Sequence, residues 1–223
     1  LRRITKLYVG VNVQVCATKY PQGGEKQLIY AITGKEVPAG KLPVDTGCIV
    51  QNVGTVFAIY EAVMKNKPLF ERIVTVSGDE CVHPANYRVR VGTPASFLIA
   101  ASGGLTPQTA QVIFGGPMMG TSAFNLDAPI TKLTSGILLL SDELSHKSVS
   151  EDCIRCGKCV EACPMGLRPY LIGNLITGNI FDELKNTDVL NCIECGCCAY
   201  TCPQHIPLLD YCKLAKFELK RKK

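Results

Sequence analysis

Nine of the chain's thirteen cysteines fall between positions 153 and 202. They form two copies of one spacing, C-x2-C-x2-C-x3-C-P. The first copy is Cys153, Cys156, Cys159 and Cys163 before Pro164; the second is Cys192, Cys195, Cys198 and Cys202 before Pro203. Thiolates are soft ligands that select iron–sulfur clusters and zinc. The doubled run with its trailing proline is the pattern that holds two 4Fe-4S clusters. Three thiolates two residues apart let a tight loop curl around one cube, while the fourth points away and ligates the other. The expected assignment is therefore crossed. Cluster 1 takes Cys153, Cys156, Cys159 and Cys202; cluster 2 takes Cys163, Cys192, Cys195 and Cys198. Gly157 and Gly196 are expected to relieve crowding where backbone passes close to inorganic sulfide. Pro164 and Pro203 are expected to stop each loop from running on as helix.

Two other chemistries use cysteine in bulk. Structural zinc sites use separated C-x2-C pairs, which leaves the third cysteine and the trailing C-P of each copy without a purpose. Disulfides would need an oxidising compartment. Cys197 falls outside the frame and reads as a filler. His83, His146 and His205 have no second ligand at metal spacing, and no Ser/His/Asp or paired-carboxylate arrangement can be defended.

The composition is that of an ordinary folded protein, 47% hydrophobic and 19% charged over 223 residues, long enough for one or two domains with a sizeable core. No run of eighteen or more apolar residues occurs, so no span of a bilayer is predicted. The formal charge of +5 counts cysteines as neutral; eight ligating thiolates around two oxidised cubes would bring it to about +1. The basic balance is thus no argument for nucleic acid, which is not expected as a partner. The chain opens on Leu1-Arg2-Arg3 without a methionine, and it is expected to be a piece of a longer polypeptide.

The elements that must position the cysteines can be read in chain order. Residues 4–18 are rich in β-branched side chains, and Val9, Val11, Val13 and Val15 share one face of a predicted strand. A glycine loop leads to a helix over 27–33 stopped by Gly34. A Pro/Gly loop over 37–47 precedes a helix over 56–65, which Pro68 would bar from continuing. Short strands are predicted over 73–78, 87–92, 111–116 and 136–140, with one helix over 94–102 among them. The run Gly115-Gly116-Pro117-Met118-Met119-Gly120-Thr121-Ser122 nearly spells a phosphate loop, but no lysine precedes Thr121 and Ser122; a tight turn with close backbone approach is expected instead. Residues 141–150 read as a polar linker. After Cys163, Pro169 suits a first helical position, and Leu171, Ile172, Leu175 and Ile176 form a stripe ended by Gly178. A short helix over 180–185 and a final helix from Pro207, apolar at Leu208, Cys212, Ala215 and Leu219, complete the unit. Its Lys220-Arg221-Lys222-Lys223 tail reads as a solvated end. Twenty-eight residues separate the two cysteine motifs, long for a compact ferredoxin and expected of a helical two-cluster module.

Four runs carry a family resemblance over almost the whole chain: Thr18-Lys19-Tyr20-Pro21-Gln22-Gly23-Gly24-Glu25-Lys26-Gln27-Leu28-Ile29, Gln51-Asn52-Val53-Gly54-Thr55, Gly115 to Gly120, and Cys192 to Cys198. The chain resembles the C-terminal part of the C subunit of the Rnf-type ion-translocating ferredoxin:NAD oxidoreductase. The first two runs also resemble the flavin subunit of respiratory complex I. The resemblance implies an α+β multidomain chain. Residues 1–70 would be a partial α/β flavin-domain remnant, 71–148 a β-grasp (soluble-ligand-binding, SLBB-like) domain, and 149–223 a helical two-4Fe-4S ferredoxin-like domain. It makes Gly24, Glu25, Asn52 and Thr55 candidate flavin and NAD pocket residues. The upstream glycine-rich segment that holds the flavin phosphate in such proteins is not in this sequence. FMN and NAD(H) are therefore expected in the full-length protein, and this chain alone is expected to hold the clusters and no flavin.

The implied function is electron relay. Nicotinamides exchange hydride pairs and a 4Fe-4S cluster cycles by one electron, so a flavin is needed between them. The resemblance implies other subunits of a membrane-bound Rnf-type complex as partners, with ferredoxin engaged indirectly. It places the chain peripherally on the cytoplasmic face of a bacterial or archaeal cell membrane, with Na+ or H+ moved by those other subunits. Two alternatives stand beside this reading. One is a soluble flavin–iron–sulfur reductase of the corrinoid-reductase kind. The other is a β-grasp ligand sensor that uses its clusters as redox switches.

Overall fold

The computed structural model describes residues 10–145 and 149–221. The predicted strand over 4–18 falls partly outside them, at 1–9; the described part, 10–18, forms no strand. Val11 and Val15 are exposed there. Alternating valines supply an apolar face, but a strand also needs a neighbour to take its backbone N–H and C=O groups, and no described strand of the sheet lies beside this stretch.

Helix α1 (Glu25–Thr33) starts two residues before its predicted position and ends on Gly34 in the left-handed conformation, φ 69°. Helix α2 (Val53–Lys65) starts three residues early because the Asn52 side chain accepts the Gly54 N–H at 2.9 Å, which satisfies one of the orphan donors of a first turn. It ends at Asn66, left-handed at φ 52°, before Pro68 can act. None of the residues of α2 is buried; Val53, Phe57, Val63 and Met64 are all exposed.

The middle of the chain builds a five-stranded mixed sheet. Its strands are β1 (Glu71–Ser77), β2 (Ala85–Arg90), β3 (Thr109–Phe114), β4 (Thr121–Ser122) and β5 (Gly136–Ser141), in the order β2-β1-β5-β3-β4. β1 and β5 pair in parallel with Val76 opposite Ile137; the other pairs are antiparallel. Helix α3 (Ala95–Ala101) presses Leu98 and Ile99 against Val74, Val76, Ile137 and Leu139, all buried in one core. Each such side chain contributes about 1.5–3 kcal/mol on burial. Strand β4, two residues long, was beyond the reach of any periodicity argument. The predicted linker is partly structured: Ser141 closes β5 and Asp142–Ser145 forms a single helical turn, α4. Residues 146–148, including His146, lie outside the described residues.

The turn between β3 and β4 is as tight as predicted. A Cβ on Gly120 would sit 2.4 Å from Ile113 Cγ2 and 2.5 Å from the Gly116 oxygen.

The last third is helical: α5 (Lys158–Glu161), α6 (Pro169–Thr177), α7 (Cys197–Tyr200) and α8 (Leu208–Arg221), with 3-10 turns over Phe181–Asn186 and Val189–Asn191. Pro169 occupies the first turn of α6. The segment predicted as a short helix is a 3-10 turn one residue later. Ile172, Ile176, Leu184, Val189, Cys212 and Ala215 form a second buried core, separate from that of the sheet. Arg221 pairs with Glu218 at 2.8 Å; Lys222 and Lys223 lie outside the described residues. Among the described residues no helix is long and apolar enough to cross a membrane.

Candidate iron–sulfur sites

The two cysteine copies fold alike. In each, a left-handed residue (Arg155, φ 57°; Glu194, φ 58°) precedes the second cysteine, and a left-handed glycine (Gly157, φ 78°; Gly196, φ 81°) follows it. These reversals wrap the first three cysteines around a loop, after which a single helical turn, α5 or α7, carries the third cysteine inward. Cys159 and Cys198 are accordingly buried. The glycine requirement at 157 is conformational, since an added Cβ there would meet no protein atom within 4 Å. At Gly196 a Cβ would also collide with the Met118 carbonyl oxygen at 2.7 Å.

The thiols line two cavities. The larger, about 940 Å³, is lined by Cys153, Cys156, Cys159 and Cys202. The second is much smaller and is lined by Cys163, Cys192, Cys195 and Cys198. The fourth cysteine of each copy thus faces the cavity of the other copy. Cys197 lines neither. Among the described residues no three His, Cys, Asp or Glu side chains converge closely enough to hold a single metal ion. Four soft thiol donors at each site are the ligand type and number that a four-iron cluster takes.

The two sites differ in exposure. Cys153 and Cys156 are exposed, whereas Cys195 and Cys198 are each 8% exposed. Backbone N–H groups already serve the sulfurs of the second site: Leu167 donates to Cys163 Sγ and Glu194 to Cys192 Sγ, both at 3.4 Å.

Sequence reasoning missed a fifth cysteine at the second cavity. Cys212, 1% exposed on α8, lines it, and its thiol hydrogen-bonds to the sulfurs of Cys192 and Cys198. That bond, against the effect of burial, pulls the Cys192 thiol down to about 6 and also lowers Cys198. Burial pushes Cys159 and Cys163 up. One turn further along α8, the Lys216 ammonium donates to the Cys192 carbonyl at 3.1 Å and pairs with the Glu194 carboxylate. Cys212 carried no signal in the sequence, because it sits on the apolar stripe of a helix where a cysteine reads as packing.

The second site is also the meeting point of the three parts of the chain. The Tyr20 hydroxyl donates to the Cys195 carbonyl at 2.6 Å. The Gln27 amide donates to Met165 Sδ at 3.0 Å, and the Met118 carbonyl of the sheet's tight turn abuts Gly196. The candidate flavin residues lie elsewhere. Gly24 and Glu25 are the N-cap and first residue of α1, and Asn52 and Thr55 the N-cap and third residue of α2. No hydrogen bond among the described residues joins one pair to the other, Glu25 and Asn52 are exposed, and neither cavity includes any of the four.

Comparison with known proteins now bears directly on this geometry. Residues 2–61 match the family model of the Nuo51 FMN-binding domain, 73–122 the SLBB domain, and 146–203 the 4Fe-4S dicluster domain. The chain is 44% identical over 187 residues to the C subunit of the proton-translocating ferredoxin:NAD(+) oxidoreductase complex of Clostridium ljungdahlii, covering 83% of this chain and 41% of the relative. It is 44% identical over 174 residues to the Na(+)-translocating counterpart of Acetobacterium woodii, 78% of this chain and 39% of the relative. The chain is a homologue of part of the C subunit of the ion-translocating oxidoreductase complexes. The C subunit of the ion-translocating oxidoreductase complex of Yersinia pseudotuberculosis aligns with 99% of the chain at 43% identity, which is 32% of its own length. The chain thus spans about two fifths or less of these relatives. The resemblance read from the four sequence runs holds. So do its cofactor classes, iron–sulfur clusters and FMN, which are those of the domain models this chain matches.

Proposed function

We propose that this chain is the electron-relay part of such a C subunit, passing single electrons through two 4Fe-4S clusters between a flavin/NAD site and the other subunits of a ferredoxin:NAD oxidoreductase. The observation that carries the reading is the exchange of fourth cysteines between two cavities, with Cys202 in the first and Cys163 in the second. Crossed ligation places two cubes side by side, as a relay requires. Bound clusters cycle by one electron, and a flavin converts between such steps and the hydride of a nicotinamide.

The chain's residues then divide the work. Cys153, Cys156, Cys159 and Cys202 hold cluster 1 on the exposed side, where a partner can approach. Cys163, Cys192, Cys195 and Cys198 hold cluster 2 in the interior, against the N-terminal segment and the sheet. Gly24, Glu25, Asn52 and Thr55 belong to the flavin and nicotinamide side; both pairs sit at helix starts, where N–H groups favour anionic groups. Residues 71–148, which carry the five-stranded sheet within 71–141, would be an SLBB-type β-grasp domain between a flavin-domain remnant (1–70) and the cluster domain (149–223). The complex couples this transfer to Na+ or H+ movement in other subunits, with this part peripheral on the cytoplasmic face of a bacterial or archaeal membrane.

The test is cluster content followed by reduction. Anaerobically prepared protein should carry ~8 iron and ~8 sulfide per chain, from two four-iron cubes. In the longer protein with flavin bound, NADH should reduce both clusters. Zinc with little iron would end the cluster reading; full clusters that NADH cannot reduce would end the oxidoreductase reading.

A further inference from the structure

One side chain outside the eight proposed ligands grips the second cysteine loop at two points. Lys216 stands on α8 beside Ala215, which is buried in the core with Ile172, Ile176 and Leu184, so its stem rises from a fixed helix. The Lys216 side chain is only 18% exposed. Its ammonium donates to the Cys192 carbonyl at 3.1 Å and pairs with the Glu194 carboxylate.

Those two acceptors flank a hydrogen bond to a ligand sulfur. The Glu194 N–H donates to Cys192 Sγ at 3.4 Å, and Glu194 itself is left-handed at φ 58°. That conformation is costly for any residue with a Cβ, so the loop stays in it only where its surroundings hold it there. Lys216 does so by tying the backbone at 192 and the side chain at 194 to one helix. The first loop has no such tie. Arg155 stands at the matching left-handed position, φ 57°, but it is exposed, and no ion pair among the described residues fastens its side chain.

Cluster potential is set by cluster type, charge, hydrogen bonds to the sulfurs and solvent exposure. An N–H aimed at a ligand sulfur favours the reduced cluster, because the bond strengthens as electron density on sulfur grows. The bond weakens steeply as the N–H turns away from its acceptor. A residue that fixes this direction therefore acts on the cluster without touching a sulfur. We propose that Lys216 is a positioning residue for cluster 2: it holds the segment from Cys192 to Glu194 so that the Glu194 N–H stays on the Cys192 sulfur, and it thereby keeps the potential of that cluster above the value a free loop would give. The inference rests on the cluster assignment above.

The experiment is an EPR-monitored redox titration of the anaerobically reconstituted full chain, with cluster 1 as internal reference. Lys216→Met and Lys216→Leu, which lack the ammonium, should each leave cluster 2 about tenfold less reduced at a given potential, a downward shift of about 59 mV for one electron. Lys216→Arg, which keeps a donor for both acceptors, should fall closer to the unchanged protein. Combining Lys216→Met with Glu194→Gln removes both charges and leaves the loop untied, so most of the downward shift should remain. Cluster 1 should not move in any of them. An unshifted cluster 2 in both the Met and Leu variants with iron content intact overturns the proposal. A double variant that returns to the original potential does so too, since charge alone would then explain the shift. So does loss of cluster 2 in both Met and Leu variants, which would make Lys216 a residue of assembly. Absence of iron–sulfur signals in the unsubstituted chain would instead strike at the cluster reading itself.

Discussion

The hydroxyl of Tyr20 donates a 2.6 Å hydrogen bond to the backbone carbonyl of Cys195, 175 positions along the chain. Through it the segment before α1 is tied to the middle of the second cysteine loop. Tyr20 is itself nearly half exposed, but the oxygen is partly buried, and burial raises its proton affinity, so it remains a donor through the neutral range.

Tyr20→Phe removes that donor and leaves the ring. The expected loss is about 1 kcal/mol. It should appear as faster amide exchange over 19–25 and around Cys195, with iron content unchanged. Equal exchange in both proteins would show that the bond holds nothing in place.

Crossed ligation gives a sharper expectation. Cys163→Ser should damage the cluster of Cys192, Cys195 and Cys198 and spare that of its sequence neighbours Cys153, Cys156 and Cys159. Cys197→Ser should retain both clusters. Mössbauer or EPR spectra of the variants would distinguish the sites, and loss of the first cluster in Cys163→Ser would refute the crossing.

The paired glycines of the two loops separate backbone strain from packing. Gly157→Ala pays only the left-handed conformation, roughly 1–2 kcal/mol. Gly196→Ala meets the same strain and also places a Cβ 2.7 Å from the Met118 carbonyl oxygen, an overpacking that adds about 1–3 kcal/mol. Thermal unfolding of the holoprotein should rank Gly196→Ala as the less stable, with loosened exchange at Met118 in that variant alone. Equal stabilities would mean that the turn yields freely.

Removal of iron should act unevenly. The sheet core of Val74, Val76, Ile137 and Leu139 contains no candidate ligand, whereas Cys192 packs against the second core and Cys159, Cys198 and Cys202 form a third cluster with Leu208. Metal binding is coupled to folding where ligands share the core. Oxidative loss of the clusters should therefore raise hydrogen exchange across 149–221 far more than across 71–141. Uniform loss of protection would show that the sheet depends on the clusters too.

How much of this was legible beforehand depends on the range of the interactions involved. The grouping of Cys153, Cys156, Cys159 and Cys202 at one cavity and of Cys163, Cys192, Cys195 and Cys198 at the other was legible in local spacing, because three cysteines two residues apart share one short loop and the fourth lies at a fixed offset. Helices α1, α2, α6 and α8 and four of the five strands followed from periodicity and from stops such as Gly34 and Gly178, with ends displaced where a side chain such as Asn52 capped earlier. The predicted strand over 4–18 found no pairing across 10–18, since strand formation depends on a partner that the segment's own residues do not specify. Cys212, Tyr20 and Met118 came to the second site from three distant parts of the chain. Their types and local spacing, read alone, indicated packing, a loop and a turn. Only the tertiary fold placed a thiol, a phenol and a carbonyl around one cysteine loop, because hydrogen bonding and steric contact depend on distance in space, which sequence separation does not set.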